Sequence, residues 1–240
     1  MTPPKPGGVQ PEFLMAHTSS PSEKSKSPAQ EAHPLPAAVY PSDVAFTPSV
    51  KALQSRKGSR RAYALQEEAG GWRTEIDEDL KAFIEAQTSV FLGTASADGQ
   101  PYIQHRGGPA GFLRVLDGRT IGFVDYAGNR QFISSGNLAE NTKAHLFLID
   151  YAHRRRIKIW GTAQVVEGDT ALTTGLMPPG YKARAEQVLL FTVTVWDANC
   201  PQHIPQRLEA ADVAEMLADR DRKIARLTAE VDRLKAGPKP

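Results

Sequence analysis

The chain has 240 residues, 40% hydrophobic and 23% charged, which supplies one well-packed domain with appendages rather than two full domains. A net charge of +2 gives no general attraction to nucleic acid or acidic membranes, so any anion binding must be local. One cysteine, Cys200, excludes an internal disulfide framework, and the absence of both a long apolar run and a basic-apolar leader points to a cytoplasmic protein with no membrane or nucleic-acid partner.

Residues 1–48 hold ten of the eighteen prolines and show no sustained apolar period, so a disordered Pro/Ser-rich tail is expected there. Val50, Leu53, Tyr63 and Leu65 suggest short helical pieces broken at Gly58 that wrap the domain. From Glu75 to Gln87 the residues Ile76, Leu80, Phe83 and Ile84 fall on one helical face, and the acidic first turn suits the positive end of the helix dipole.

Strands follow in quick succession: 89–95, 100–106, 112–116, 120–125, 143–150, 154–166 and 188–196. Asp98-Gly99 and Asp117-Gly118 read as hairpin turns, whose positive φ Asp and Gly tolerate, so the pairing is antiparallel. With helical insertions at 130–141 and 170–176, the pattern predicts a mainly β (α+β) fold, a small closed or partly closed barrel of about six antiparallel strands spanning residues 49–205. Residues 206–236 change character. Val213, Leu217, Ile224, Leu227, Val231 and Leu234 recur at spacings of four and three, the seam of an amphipathic helix that either forms a coiled coil or packs on its own domain, with Arg220 interrupting the seam.

Three clusters carry chemistry. Gln104-His105-Arg106 places polar donors on a strand, followed by Gly107-Gly108, which would admit a planar ligand close to the backbone; the alternative is a polar edge strand. Gly128-Asn129-Arg130-Gln131 lies where a strand gives way to a helix, offering free N–H groups and a guanidinium fork to a phosphate, although an N-cap without a ligand would look the same. In 154–166, Arg154, Arg156, Lys158 and Trp160 share one face, which is either solvated or a wall of an anion or flavin site. His105 is a candidate proton donor, and also an ordinary packed histidine. Cys200 and His203 have the spacing of two metal ligands without a third or fourth, so no metal is expected; a buried, inert thiol is one reading of Cys200 and a reactive one another.

The stretches GQPYIQHRGGP, FVDYAGNRQFISSGNLAEN and RRRIKIWGTAQVVE resemble the pyridoxamine 5′-phosphate oxidase-like flavoproteins, the FMN-binding split-barrel family, over roughly residues 48–205. The resemblance implies a homodimer with FMN at the subunit interface. It places Gln104, His105 and Arg106 along the flavin, Val124 and Asp125 beside the ribityl-phosphate chain, Asn129, Arg130 and Gln131 on the phosphate, and Arg156 at the ring edge from the other subunit. The chain departs from the true oxidases at three points. The first motif strand ends in Gly107-Gly108-Pro109 instead of a substrate-contacting Lys, the phosphate loop's Arg-Lys pair is Arg130-Gln131, and the C-terminal Arg-Leu-His type motif is replaced by residues 196–205. The expected activity is therefore FMN-dependent oxidoreduction of an unassigned small molecule, with NAD(P)H as reductant or oxygen as acceptor, and with Arg106 or Arg156 as a cation favouring reduced flavin. The alternatives are a non-catalytic flavin sensor or carrier that uses its C-terminal helix for interaction, and a barrel holding haem or deazaflavin.

Overall fold

Alternation along the strands decides the architecture, because each strand buries one row of side chains. In β1 (Ser89–Ala95) Val90 and Leu92 are buried, in β5 (Lys143–Asp150) Leu146 and Leu148, and in β6 (Arg155–Val166) Ile157 and Ile159. Together with β2 (Pro101–Gly107), β3 (Arg114–Asp117), β4 (Thr120–Tyr126) and β7 (Ala185–Asn199), they form one antiparallel sheet in the order β2-β1-β5-β6-β7-β4-β3. The computed structural model describes residues 39–199 and 201–237. All seven expected segments form strands, so the sheet has seven strands rather than about six, the strand expected at 112–116 being the four-residue edge strand β3.

The sheet is rolled around a core to which α3 (Glu78–Ala86) contributes Leu80, Phe83 and Ile84. Asp77 caps α3, its carboxylate accepting from the Leu80 N–H at 2.8 Å, which starts the helix later than the apolar period alone suggests. Fully burying each Phe, Leu or Ile of this core contributes about 1.5–3 kcal/mol. The β6–β7 pairing slips by one residue between Trp160 and Gly161. A Cβ at residue 161 would lie 2.0 Å from the Thr192 carbonyl oxygen, so glycine is what permits the two backbones to close there.

The two Asp-Gly turns differ. Gly99 adopts φ +91°, as expected, whereas Gly118 stays out of the positive-φ region. That second turn is held instead by the Asp117 carboxylate, which accepts from the Arg119 N–H at 2.7 Å. Two smaller helices, α4 (Ile133–Glu140) and α5 (Thr170–Leu176), close the ends of the sheet.

The disordered tail expected over 1–48 overlaps residues that the structure shows folded. Residues 1–38 lie outside the described residues, but Pro41–Val44 form a 3-10 helix whose buried Ser42 hydroxyl donates to Glu67 Oε1 at 2.9 Å. The segment continues as α1 (Pro48–Lys57) and α2 (Arg60–Glu68), separated by Gly58 at φ +81°, and these wrap the sheet as the sequence suggests. They carry Phe46 and Trp72 onto the outer face of β6, where Trp72 stacks on Trp160 with ring centroids 4.8 Å apart. The indole therefore has its own cover. The last element, α6 (Ala210–Lys235), has no buried residue, so it does not pack on its own domain. No helix among the described residues is long and apolar enough to cross a membrane.

The aromatic cover has a measurable consequence. His145 lies edge-on to Trp160 at 4.8 Å, and burial, reinforced by the neighbouring Lys158 ammonium, pushes its pKa down to about 4. Between about pH 6.5 and 4 the unfolded chain binds a proton that the folded one refuses, so stability is lost as pH falls through that window. We expect urea unfolding of the wild type to lose up to about 1 kcal/mol per pH unit there, relative to His145→Gln. Parallel stability curves for the two proteins would show that His145 does not titrate differently on folding.

Candidate functional site

A cleft of about 320 Å³ opens where the rolled sheet fails to close, between β2 and β4 and beneath the N-terminus of α4. Its size lies at the lower end of small-molecule sites. Along β2 the alternation sends Gln104 and Arg106 to the cleft side and Ile103 and His105 to the outer side. Gln104 accepts from the Tyr102 hydroxyl, which pins its amide within the cleft. Arg106 reaches across the split to β4, its Nε 2.6 Å from Asp125 Oδ1 and a terminal nitrogen 3.3 Å from Oδ2. Gln187, opposite Asp125 on β7, donates to Asp125 Oδ2 at 3.0 Å and to Ser135 Oγ at 2.9 Å.

These bonds form one chain from β2 through β4 and β7 to α4. Asp125 compensates the charge of Arg106, and both side chains are largely buried. Arg106 is thus not the free cation beside a flavin that the sequence suggested. Val124, 2% exposed, packs with Leu176 and Val188 while its residue forms part of the cleft wall.

The loop after β4 forms the mouth. Asn129 Oδ1 accepts from the Gln131 N–H at 3.3 Å, shaping the turn. Arg130 and Phe132 take left-handed backbone, φ +58° and +53°, and the Arg130 guanidinium lies 5.5 Å from the Phe132 ring centroid and 3.6 Å from Glu186 Oε1. Phe132 is the N-cap of α4 and supplies no side-chain acceptor, so the first-turn N–H groups keep their donor capacity. Beside them Ser134 is 4% exposed, and its hydroxyl is buried with no hydrogen-bond partner among the described residues. An uncapped helix terminus, an orphaned hydroxyl and a guanidinium suit an anion with several acceptor oxygens. The buried Tyr126 hydroxyl, also at the cleft, has no partner either, and burial raises its pKa.

Asn129, Arg130, Gln131, Gln104, Arg106, Val124 and Asp125 therefore meet at one cleft. His105 contributes backbone to the wall, but its ring turns away: it packs edge-on to Phe91 at 5.6 Å and bonds Ser89 Oγ at 2.8 Å. Within one chain, Arg156 and Lys158 lie elsewhere, on the outer face of β6, where Lys158 is 3.9 Å from Asp197 and 5.5 Å from the Trp160 centroid. Gly107 and Gly108 serve the chain's own packing, since a Cβ at 108 would lie 2.7 Å from Phe112 Cβ and one at 107 would crowd His105 and Thr88. Cys200 lies outside the described residues.

The sequence singles out none of Ser134, Ser135 and Gln187 as a site residue, and Gln187 lies just before the strand expected at 188–196. Only folding shows that Ser134 is buried and that Gln187 faces Asp125.

An antiparallel sheet rolled until β2 meets β4 without pairing is a split barrel. The family model described as pyridoxamine 5′-phosphate oxidase matches residues 76–200, just over half of the chain, and the protein belongs to that family. Similar solved structures include HupZ of Group A Streptococcus, 19% identical, covering 55% of this chain and 99% of that one with a TM-score of 0.40. They also include an FMN-binding protein of Syntrophomonas wolfei, 14% identical, covering 60% and 97% with a TM-score of 0.40. A third is HutZ, the haem storage protein of Vibrio cholerae, 16% identical, covering 50% and 89% with a TM-score of 0.33. No curated protein matches the chain.

The Arg106–Asp125 contact is testable by a double-mutant cycle. We expect Asp125→Asn to cost about 2 kcal/mol in urea unfolding, with a coupling energy to Arg106→Gln of at least about 1 kcal/mol. Additive single effects would show that the pair does not hold the split closed.

Proposed function

We propose that the protein binds FMN in this cleft as a homodimer and acts as an oxidoreductase on a small molecule, with NAD(P)H as reductant or oxygen as acceptor. The observation that carries the reading is the buried, unpartnered Ser134 hydroxyl beside the uncapped start of α4, next to Arg130. These groups would hold the phosphate. Arg130 and Arg184 against Glu186 leave one net positive charge at the mouth, the sign such an anion needs. Gln104 and Tyr102 would offer hydrogen bonds to the flavin's polar edge, and the Arg106–Asp125–Gln187 chain would keep the wall rigid.

Bound FMN supplies the hydride and electron transfer, and the protein's part is to position it and tune its charge. With Arg106 compensated by Asp125, the tuning cation must come from elsewhere. Arg156 of a second subunit is the candidate, because within its own chain it is remote from the cleft. The outer face of β2, β1 and β5 supports such a second subunit: Ile103 is 69% exposed there, with Phe91 and Phe147 half-buried beside it. Since the true oxidases' substrate-contacting Lys has no counterpart at Gly107-Gly108-Pro109, the substrate is proposed to differ from pyridoxamine phosphate.

Absorbance of the purified protein, followed by fluorescence titration with FMN and with riboflavin, tests the reading. Stoichiometric binding with a preference for FMN is expected. Arg130→Ala is expected to weaken FMN binding by about 1.5–3 kcal/mol, roughly 10- to 150-fold, while leaving riboflavin binding unchanged. Equal affinity for the two flavins would overturn the phosphate assignment. A Soret band, or failure to bind added FMN, would overturn the cofactor. Anaerobic bleaching by NAD(P)H with recovery of colour in air is the expected sign of turnover, and a bound flavin that no donor reduces would reduce the role to carriage or sensing.

A further inference from the structure

The helix α6 carries a row of large apolar side chains that nothing among the described residues covers. Val213, Leu217, Ile224, Leu227, Val231 and Leu234 are 38%, 44%, 53%, 47%, 46% and 69% exposed. We propose that this row is covered by α6 of a second copy, in a parallel, in-register two-stranded coiled coil.

The seam is the first argument. Numbered as heptads, Leu217, Ile224 and Val231 take position a, while Val213, Arg220, Leu227 and Leu234 take position d. The last two heptads thus have β-branched residues at a and leucine at d, the combination that favours parallel dimers. The row from residue 213 to 234 spans about 33 Å at 1.5 Å per residue.

Charge complementarity is the second. In a parallel pair each g residue faces the e residue five positions on in the other helix. Glu230 then faces Lys235 of the second copy, twice by symmetry, and the pairs Met216–Asp221 and Lys223–Thr228 contain no like charges. An antiparallel pair with its a and d layers matched would set Lys223 against Lys223, Asp221 against Asp221 and Arg220 against Ile224. An antiparallel pair that instead layers Ile224 against Leu227 would match Lys223 with Glu230 but bury Arg220 against Val231, so it is the β-branched a and leucine d positions of the last two heptads that favour the parallel direction.

Arg220 fits the same arrangement. Its guanidinium is 3.3 Å from Asp221 within its own helix. In the parallel pair it faces Arg220 of the second copy across the d layer and lies beside that copy's Asp221 at the neighbouring e position, so two carboxylates offset the two guanidiniums. A slip by one heptad would bury Arg220 against Val213 or Leu227, so a polar layer costs stability and fixes register. The start of the helix is fixed as well: Ile204 is buried, Arg207 stacks on Tyr151 at 4.6 Å, and Gln206 donates to the Ala152 carbonyl at 2.9 Å.

Cross-linking tests this independently of FMN binding and of any barrel interface. Leu227→Cys is introduced into the full chain carrying Cys200→Ser, and Ala229→Cys, on the outer f position, serves as the control. Under a glutathione redox buffer, Leu227→Cys is expected to form the disulfide dimer about 100-fold faster than Ala229→Cys, the gain of holding two sites together. Equal rates, or no dimer at residue 227, would overturn the proposal and leave the row for a different partner. Preferential linking of Leu217→Cys to Leu227→Cys in a mixture of the two variants would overturn the parallel direction.

Discussion

The ion pair between Arg106 and Asp125 joins the parts of the barrel that backbone pairing leaves apart. β2 is one edge of the sheet, and β4 is next to the other edge. No ladder connects them, yet their side chains approach to 2.6 Å. Because Gln187 and Ser135 extend the same chain of bonds, one salt bridge sets the width of the split and the position of the α4 terminus together. A half-satisfied polar network would be costly in that position; here Asp125, Gln187 and Ser135 are hydrogen-bonded, while the buried Arg106 Nε is ion-paired 2.6 Å from Asp125 without making a hydrogen bond of normal geometry. The same ion pair removes Arg106 from the set of groups free to act on a ligand. At the mouth Arg130 and the nearby Arg184 share the single carboxylate of Glu186, which leaves one net positive charge.

Much of the fold is legible in the sequence because its signals are local. Period-two runs mark the strands, and Gly58 breaks the N-terminal helices where φ becomes positive; Asp77, read as part of an acidic first turn, is instead the cap of α3. The errors have local causes too. Pro41–Val44 read as tail because the contact that orders them, Ser42 to Glu67, spans 25 residues and leaves no periodic trace. The Asp117-Gly118 turn read as a positive-φ hairpin, whereas its carboxylate already satisfies the Arg119 amide.

The site is legible only in part. Strand alternation places Gln104 and Arg106 together and exiles His105, which the motif alone does not reveal. The face bearing Lys158 and Trp160 looked like a binding wall, since an indole among cations is poorly placed in water. The structure resolves that oddity differently: Trp72 and Phe46, far upstream, cover the ring. A sequence shows that an exposed aromatic needs a cover, but it does not show whether a ligand or the chain itself provides one.

The backbone of the loop after β4 shows how the remaining stability is distributed. Arg130 and Phe132 in left-handed conformation each cost on the order of 1–2 kcal/mol, and α4 begins without a side-chain cap. Such a loop persists only if its far end is fixed. Asn137 donates to Thr94 Oγ1 at 3.0 Å, Asn141 donates to the Ser96 carbonyl, and Leu138 is buried in the core, so the C-terminal half of α4 is held against β1 and the turn after it. The helix is thereby held with its first-turn N–H groups and Ser134 facing the cleft instead of relaxing to satisfy them. An anion arriving there meets donors already aligned, and the strain is carried by the barrel, not by the binding step.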